Sequence, residues 1–448
     1  MQKKLLGMAV ATALAAPAAA FAQSAVQVYG TAHVSFNSTK YGVATNEAPS
    51  KSMMSVASHA SNFGIRSSET LGGGMTGWVQ YEFNVKMERD FDASGANGST
   101  RNTAIGLRGN FGNVYFGTWE TPWASTFRLW DVGTIGGWGP TTSVIGRRET
   151  TASSPSNNCT GNFSGASNVT TGSVGTTSVC YHAEGPAGAY PLWRRYGSAV
   201  FYDSPVFSGF AFRIGYQPNE TKSVLGTSVN SQGIAFLGTT TKTLVTENPS
   251  SWSASLTWTG MGGKARAFLA NMSSKDWTTI GKTDAGYTVG GGYDFGVVNV
   301  GATFETYNYE TGAASATNPI GAPGGKSKAT QYGLGLAIPM GSGKIGASYA
   351  IAKDIDGGNL GTASGTAGAN PGLVAGDKAR TGATMYNIGY EWALSKRTAV
   401  GFGYAKIDNK EDAAFTWTGM APTQNGVSIA DYNGSDVSNI FVAFRHSF

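Results

Sequence analysis

Four arginines, Arg66, Arg108, Arg195 and Arg213, each fall on the polar, glycine-bearing side of a stretch in which apolar residues take every second position. A guanidinium is charged at any physiological pH and carries five N–H donors, so several on one surface attract and orient anions without a covalent step. Two acids, Glu120 and Asp131, stand near the start of a long irregular stretch, and Arg147, Arg148 and Glu149 lie further along it. Acidic and basic groups opposed across a narrow space would set a transverse field there.

Covalent chemistry finds little to use. "GSGKIG" at Gly341 to Gly346 has the spacing of a dinucleotide fingerprint, but it sits in a tight turn between two alternating segments, with no helix to present its N-terminus to a phosphate. "GKT" at 281–283 and "GKS" at 325–327 lack the upstream glycine of a phosphate-binding loop, having Asp276 and Ile320 there. His33, His59, His182 and His446 are scattered, with neither H-E-x-x-H nor G-x-S-x-G in the chain. The expectation is no enzyme, no cofactor and no metal site. A Ser/His pair assembled only in space, as in an outer-membrane hydrolase, stands as a third reading.

The elements that carry these arginines are strands. The opening "MQKKLLGMAVATALAAPAAAFAQS" has a basic start, a short apolar run and an Ala20-Phe21-Ala22 exit, the pattern of a secretory signal peptide over residues 1–22. Export puts Cys159 and Cys180, 21 positions apart in a Ser/Gly/Asn/Thr-rich stretch, in an oxidising compartment, where a disulfide is their natural state. Closing such a loop contributes roughly 3 kcal/mol in the chain-entropy picture. The net charge of +5 is too mild to indicate nucleic acid as a partner. Charged residues make up only 13% of the chain and glycine takes 64 positions, too little charge for an ordinary soluble surface. No run of about 18 apolar residues follows the leader, so a helical span is excluded, whereas a membrane barrel is not, because its lipid-facing and lumen-facing residues alternate.

Alternation of that kind recurs along the chain. Val26, Val28, Ala32, Val34 and Phe36 take one side of the first segment; Phe210, Phe212, Ile214 and Tyr216 take one side of another. The pattern predicts strands over 26–37, 60–69, 75–88, 101–109, 112–119, 194–203, 208–217, 251–259, 263–272, 285–294, 296–308, 328–338, 343–354, 383–393, 397–408 and 436–448, sixteen in all. Short connectors such as "LGGG", "GNFG", "DFG" and "PMGSGK" alternate with long ones such as 38–59, 120–193, 218–250, 309–327, 355–382 and 409–435. A soluble sandwich gives no reason for that regularity. An even-stranded membrane barrel does, because its turns are tight at one end and its loops free to grow at the other. Closure also pairs every backbone N–H and C=O where no water can. The final strand, "SNIFVAFRHSF", is then expected to pair with the first, with Phe448 as an interfacial anchor.

The "VYGTAHVSF" opening, "SNFGIRSSETLGGGM", "TAIGLRGNFGNVYFGT", "SAVFYDSPVFSGFAFRIGYQ" and the "FRHSF" ending, taken in order, resemble the general porins of Gram-negative outer membranes, most of all the betaproteobacterial and neisserial type. The resemblance covers essentially all of residues 23–448. It implies an all-β, 16-stranded antiparallel transmembrane β-barrel with long external loops, assembled as a homotrimer. It also implies that the third long loop, 120–193, folds inward and forms the constriction, with Arg66, Arg108, Arg195, Arg213, Glu120 and Asp131 lining the pore. Mid-strand Arg66 and Arg213 belong in the lumen, since an unpaired arginine facing lipid near midplane costs roughly 2–4 kcal/mol; Arg108 abuts a turn, where either side serves. Trp119, Trp123, Trp130 and Trp138, crowded at the start of the loop, either offer a stacking surface for passing sugars or aromatic acids or pack the loop against the wall. Asn62, His33 and Thr118 stand where relatives usually carry Arg, Asp and Arg, which thins the charged ladder.

The expected function is a passive, water-filled channel for small hydrophilic solutes and ions, with a weak anion preference and outer-membrane lipid around it. The alternatives are a channel specific for sugars or aromatic acids, and a surface adhesion barrel.

Overall fold

The structure, a computed structural model, describes residues 26–43, 50–87, 101–145, 195–218, 228–229, 235–236, 250–275, 283–309, 327–354, 356, 380, 382–411, 413, 415–417 and 434–448. The leader, Arg147, Arg148, Glu149, Cys159 and Cys180 lie outside them.

In chain order the wall consists of β1 (Gln27–Tyr41), β2 in two pieces (Lys51–Ser58 and Asn62–Gly72), β3 (Met75–Asn84), β4 (Thr103–Gly109), β5 (Gly112–Glu120), β6 (Arg195–Asp203), β7 (Phe210–Gln217), β8 (Ser250–Gly260), β9 (Ala265–Lys275), β10 (Thr283–Asp294), β11 (Asn299–Tyr309), β12 (Ser327–Met340), β13 (Gly343–Ala352), β14 (Ala383–Ala393), β15 (Thr398–Asn409) and β16 (Val437–Ser447). Each strand pairs antiparallel with the next, and β16 returns to β1 from Thr31↔Ser447 to Tyr41↔Val437, so the sheet closes. The last residue belongs to the seam: Phe448 N–H donates to the Gly30 carbonyl at 3.0 Å and Gly30 N–H to that of Phe448 at 3.2 Å. Among the described residues no helix is long and apolar enough to cross a membrane; the crossing is made by strands.

Sixteen wall strands match the number that the alternation predicts. The first hairpin reaches further than expected, because β1 continues to Tyr41 and pairs with Lys51–Ser58, both inside the predicted loop 38–59. Ser38, Thr39 and Lys40 need no apolar face at that height, so periodicity does not mark them.

Besides a register shift between Thr70 and Gly72 at the tight turn after β2, two bulges interrupt the described wall. In β2, His59, Ala60 and Ser61 form a bulge opposite His33: Val34 pairs with Ser58 but Thr31 with Asn62, and Ala60 takes φ 52°. Asn62 supports it through Nδ2 to the Ala60 carbonyl at 3.0 Å. A second lies between β5 and β6, where the register slips beyond Gly117 and Ser198 takes φ 48°.

The outer surface carries exposed apolar residues such as Phe36, Ile105, Phe116, Leu269, Ile388 and Phe402. A surface of that kind is at home only in lipid. The packed core lies inside the barrel, where part of the loop after β5 meets the wall.

Candidate functional site

The loop starts at the end of β5 with a built-in helix signal. Thr121 is extended and its Oγ1 accepts from Ala124 N–H at 3.1 Å, and Pro122 opens α1 (Pro122–Ser125). A second turn, α2 (Phe127–Trp130), follows at once. Asp131 then ties the chain back on itself, its two oxygens accepting from Thr134 at 2.7 Å and Thr141 at 2.9 Å. Burial pushes the Asp131 carboxyl above its ordinary range, against the two hydroxyls and Lys344, which favour the charged form.

From there the loop runs round the inner wall. Trp123 N–H donates to Ser253 Oγ of β8 at 3.2 Å, Lys344 Nζ of β13 donates to the Val132 carbonyl at 3.3 Å, and Asn387 Nδ2 of β14 donates to the Trp138 carbonyl at 2.7 Å. Glycine on the wet face makes this approach feasible. A Cβ at Gly301 would strike the Trp130 carbonyl, and one on the loop at Gly133 would strike that of Ala347.

Trp123, Trp130 and Trp138 have no accessible surface. Trp123 packs on Tyr307 with ring centroids 4.9 Å apart, while Trp138 meets His59 edge-on at 4.4 Å and Trp417, from the loop between β15 and β16, at 5.6 Å. These rings fasten the loop to the wall, so the solute-stacking alternative is corrected for all three: a face with no access cannot receive a solute. Trp119 is partly exposed and packs edge-on against Trp78 and Tyr115.

With the loop held against β8–β16 and the bulge of β2, the charged groups gather on β1–β7. Arg66 is exposed, its Nε donating to Gln27 Oε1 at 2.9 Å and its guanidinium 5.1 Å from the Tyr29 ring centroid. Arg213 pairs with Asp203 at 2.6 and 3.2 Å, and Tyr115 donates to the same carboxylate at 3.3 Å. Arg108 is exposed at the turn end of β4, on the inward alternation opposite Ile105. Arg195 breaks the alternation: after the bulge Tyr196 takes the fully buried inward place, and Arg195 reaches Asn102 Oδ1 at 3.0 Å from the strand end.

The loop itself contributes Arg128, which the sequence reading missed because no periodicity extends into that segment. Its guanidinium holds both oxygens of Glu120, at 2.5 and 3.1 Å, with the arginine side chain 67% exposed and that of the glutamate 14%. Glu82 and Arg101, also missed, form an inner pair at 2.7 Å that Tyr29 joins through its hydroxyl at 3.0 Å. For Glu82 a signal existed, since Gln80 and Glu82 alternate with the outward Val79 and Tyr81. Asp131, expected in the pore lining, spends both oxygens inside the loop.

A closed antiparallel barrel with tight turns at one end, an apolar outer surface and a charged lumen narrowed by an inward loop defines a channel-forming outer-membrane protein. The chain belongs to the Gram-negative porin family, whose sequence profile matches residues 9–412. It is similar to outer membrane porin protein 32 of Delftia acidovorans, at 26% identity over 461 aligned positions covering all of both chains. Among solved structures, the anion-selective porin from Comamonas acidovorans aligns with 95% of this chain and 100% of its own, at 18% identity and a TM-score of 0.58. OmpT of Vibrio cholerae in its trimer form aligns with 95% and 99%, at 13% identity and a TM-score of 0.54. The protein is an outer-membrane porin.

Proposed function

We propose that the channel passes small hydrophilic solutes by diffusion with a weak preference for anions, and that three copies assemble as a homotrimer. The observation that carries the preference is the exposure of Arg66, which has no carboxylate partner among the described residues, in a passage where Asp203 and Glu82 are already matched by Arg213 and Arg101. Arg108 adds a second exposed cation at the turn end, and the anion selectivity of the Comamonas porin points the same way. The trimer rests on the trimeric form of the Vibrio protein. The loop sets the size limit, and wall charges bias which ions enter. No step of this process needs a cofactor or a covalent intermediate.

Reconstitution in planar bilayers under a salt gradient tests the reading. Stepwise, long-lived conductance with a reversal potential on the anion side is expected. A strong cation preference overturns the charge assignment.

A further inference from the structure

Arg66 and Glu82 are placed to neutralise each other, yet they do not pair. Gly64 of β2 pairs with Glu82 of β3, and Arg66 follows two residues on with its side chain on the same inner face. Side chains at such diagonal positions start about 7–8 Å apart, a gap within reach of long residues such as arginine and glutamate. An ion pair there would remove the free cation on which the anion preference rests.

Tyr29 occupies the gap. On β1 it pairs with Gly64, in line with Glu82, and a Cβ on Gly64 would strike its ring, so the ring lies over a position of β2 that has no side chain. The Arg66 guanidinium sits over the face of this ring, 5.1 Å from its centroid, and the Tyr29 hydroxyl donates to Glu82 Oε2 at 3.0 Å. The other oxygen, Glu82 Oε1, accepts from Arg101 Nε at 2.7 Å, while Arg66 Nε donates to Gln27 Oε1 at 2.9 Å. Both oxygens of the acid are therefore taken, and the side chain that takes one of them also holds the arginine.

We propose that Tyr29 is a positioning residue for ion selectivity: standing between Arg66 and Glu82, it keeps the arginine available to ions in the passage. The inference rests on the anion preference proposed above. An aromatic face attracts a guanidinium without cancelling its net charge, whereas a carboxylate cancels it. An aliphatic side chain in place of Tyr29 leaves Glu82 Oε2 without that donor, beside a guanidinium no longer held on a ring. Arg66 then turns to the carboxylate, and the passage loses its free cation.

The test is a double-mutant cycle on the full-length protein in planar bilayers: reversal potentials under a potassium chloride gradient for wild type, Tyr29→Leu, Glu82→Gln and Tyr29→Leu/Glu82→Gln. Tyr29→Leu is expected to lower the chloride-to-potassium permeability ratio roughly fourfold, the weight of one unit charge near a passing ion. In the Glu82→Gln background the same change is expected to have no effect, because no carboxylate remains there to claim Arg66. A purely structural role for the ring would show in both backgrounds. Tyr29→Phe, which keeps the ring in place, is expected to retain the wild-type ratio. The cycle is repeated with Tyr29→Thr, a β-branched residue suited to a strand, so that a folding defect of one variant does not decide it. Heat-modifiable gel mobility shows which barrels are folded. An equal shift in both backgrounds, or none in either, overturns the proposal. The sign of the wild-type preference bears on the proposed function alone, and the difference between the two backgrounds bears on this inference.

Discussion

Arg128 and Glu120 face each other fork to fork, and the cation is the exposed partner of the pair. The inward loop therefore presents a guanidinium to the passage, where an acidic loop opposite a basic wall was expected. A unit charge about 5 Å from a passing ion in water's dielectric amounts to about 0.8 kcal/mol, close to fourfold in an occupancy ratio. Arg128→Gln should shift the reversal potential toward cations by about that ratio, and Glu120→Gln should shift it toward anions. Arg128→Lys should restore the sign. Bilayer recordings in a potassium chloride gradient check all three.

Trp138 is the clasp between the described part of the loop and its surroundings, touching His59, Trp417 and Phe441. Truncating a fully buried ring typically costs about 3–5 kcal/mol. Trp138→Ala should lower the urea midpoint in lipid vesicles and give larger, noisier single-channel currents as this segment comes loose. Unchanged current amplitude and noise would show that this segment is held by other contacts.

Asp131 gives the loop a pH dependence of definite sign. Its carboxyl titrates above the ordinary range in the fold, so the neutral form is the better accommodated one. The stability associated with it is fully present below the unfolded value of about 3.9 and is lost as the pH rises through the higher folded value. Asp131→Asn removes that loss. Urea midpoints of variant and wild type should agree most closely in acid and diverge in favour of the variant toward neutral pH.

Gly301 leaves room for the carbonyl of Trp130, and a methyl group there would collide with it. Gly301→Ala should push α2 off the wall into the passage, reduce conductance and destabilise the barrel by roughly 1–3 kcal/mol, as overpacking does. An alanine variant with wild-type conductance would show that the loop can shift at no cost.

Much of the wall was legible in the chain because a strand's side chains alternate locally, and lipid on one side and water on the other write that alternation directly into the residues. The mid-strand residues Ile214 and Arg213 could be assigned to opposite faces on that ground alone. Arg195 could not, because a single inserted residue at the β6 bulge reverses every assignment beyond it. The four tryptophans were visible as a group, yet whether they stack on solutes or on the wall depends on Tyr307, His59 and Trp417, which lie far away in the chain.

The amino-acid sequence by itself determined a closed sheet of sixteen strands, oily outside, with tight turns at one end, because these follow from period-two spacing and from where glycine-rich turns fall. Only the tertiary structure decided which charges remain exposed. Neutralisation is a matter of distance between atoms: Arg213 is matched by Asp203 and Arg101 by Glu82, while Arg66 meets the neutral side chains of Gln27 and Tyr29. Those partners are set by strand register and by the path of the inward loop, and no local pattern of residues encodes either.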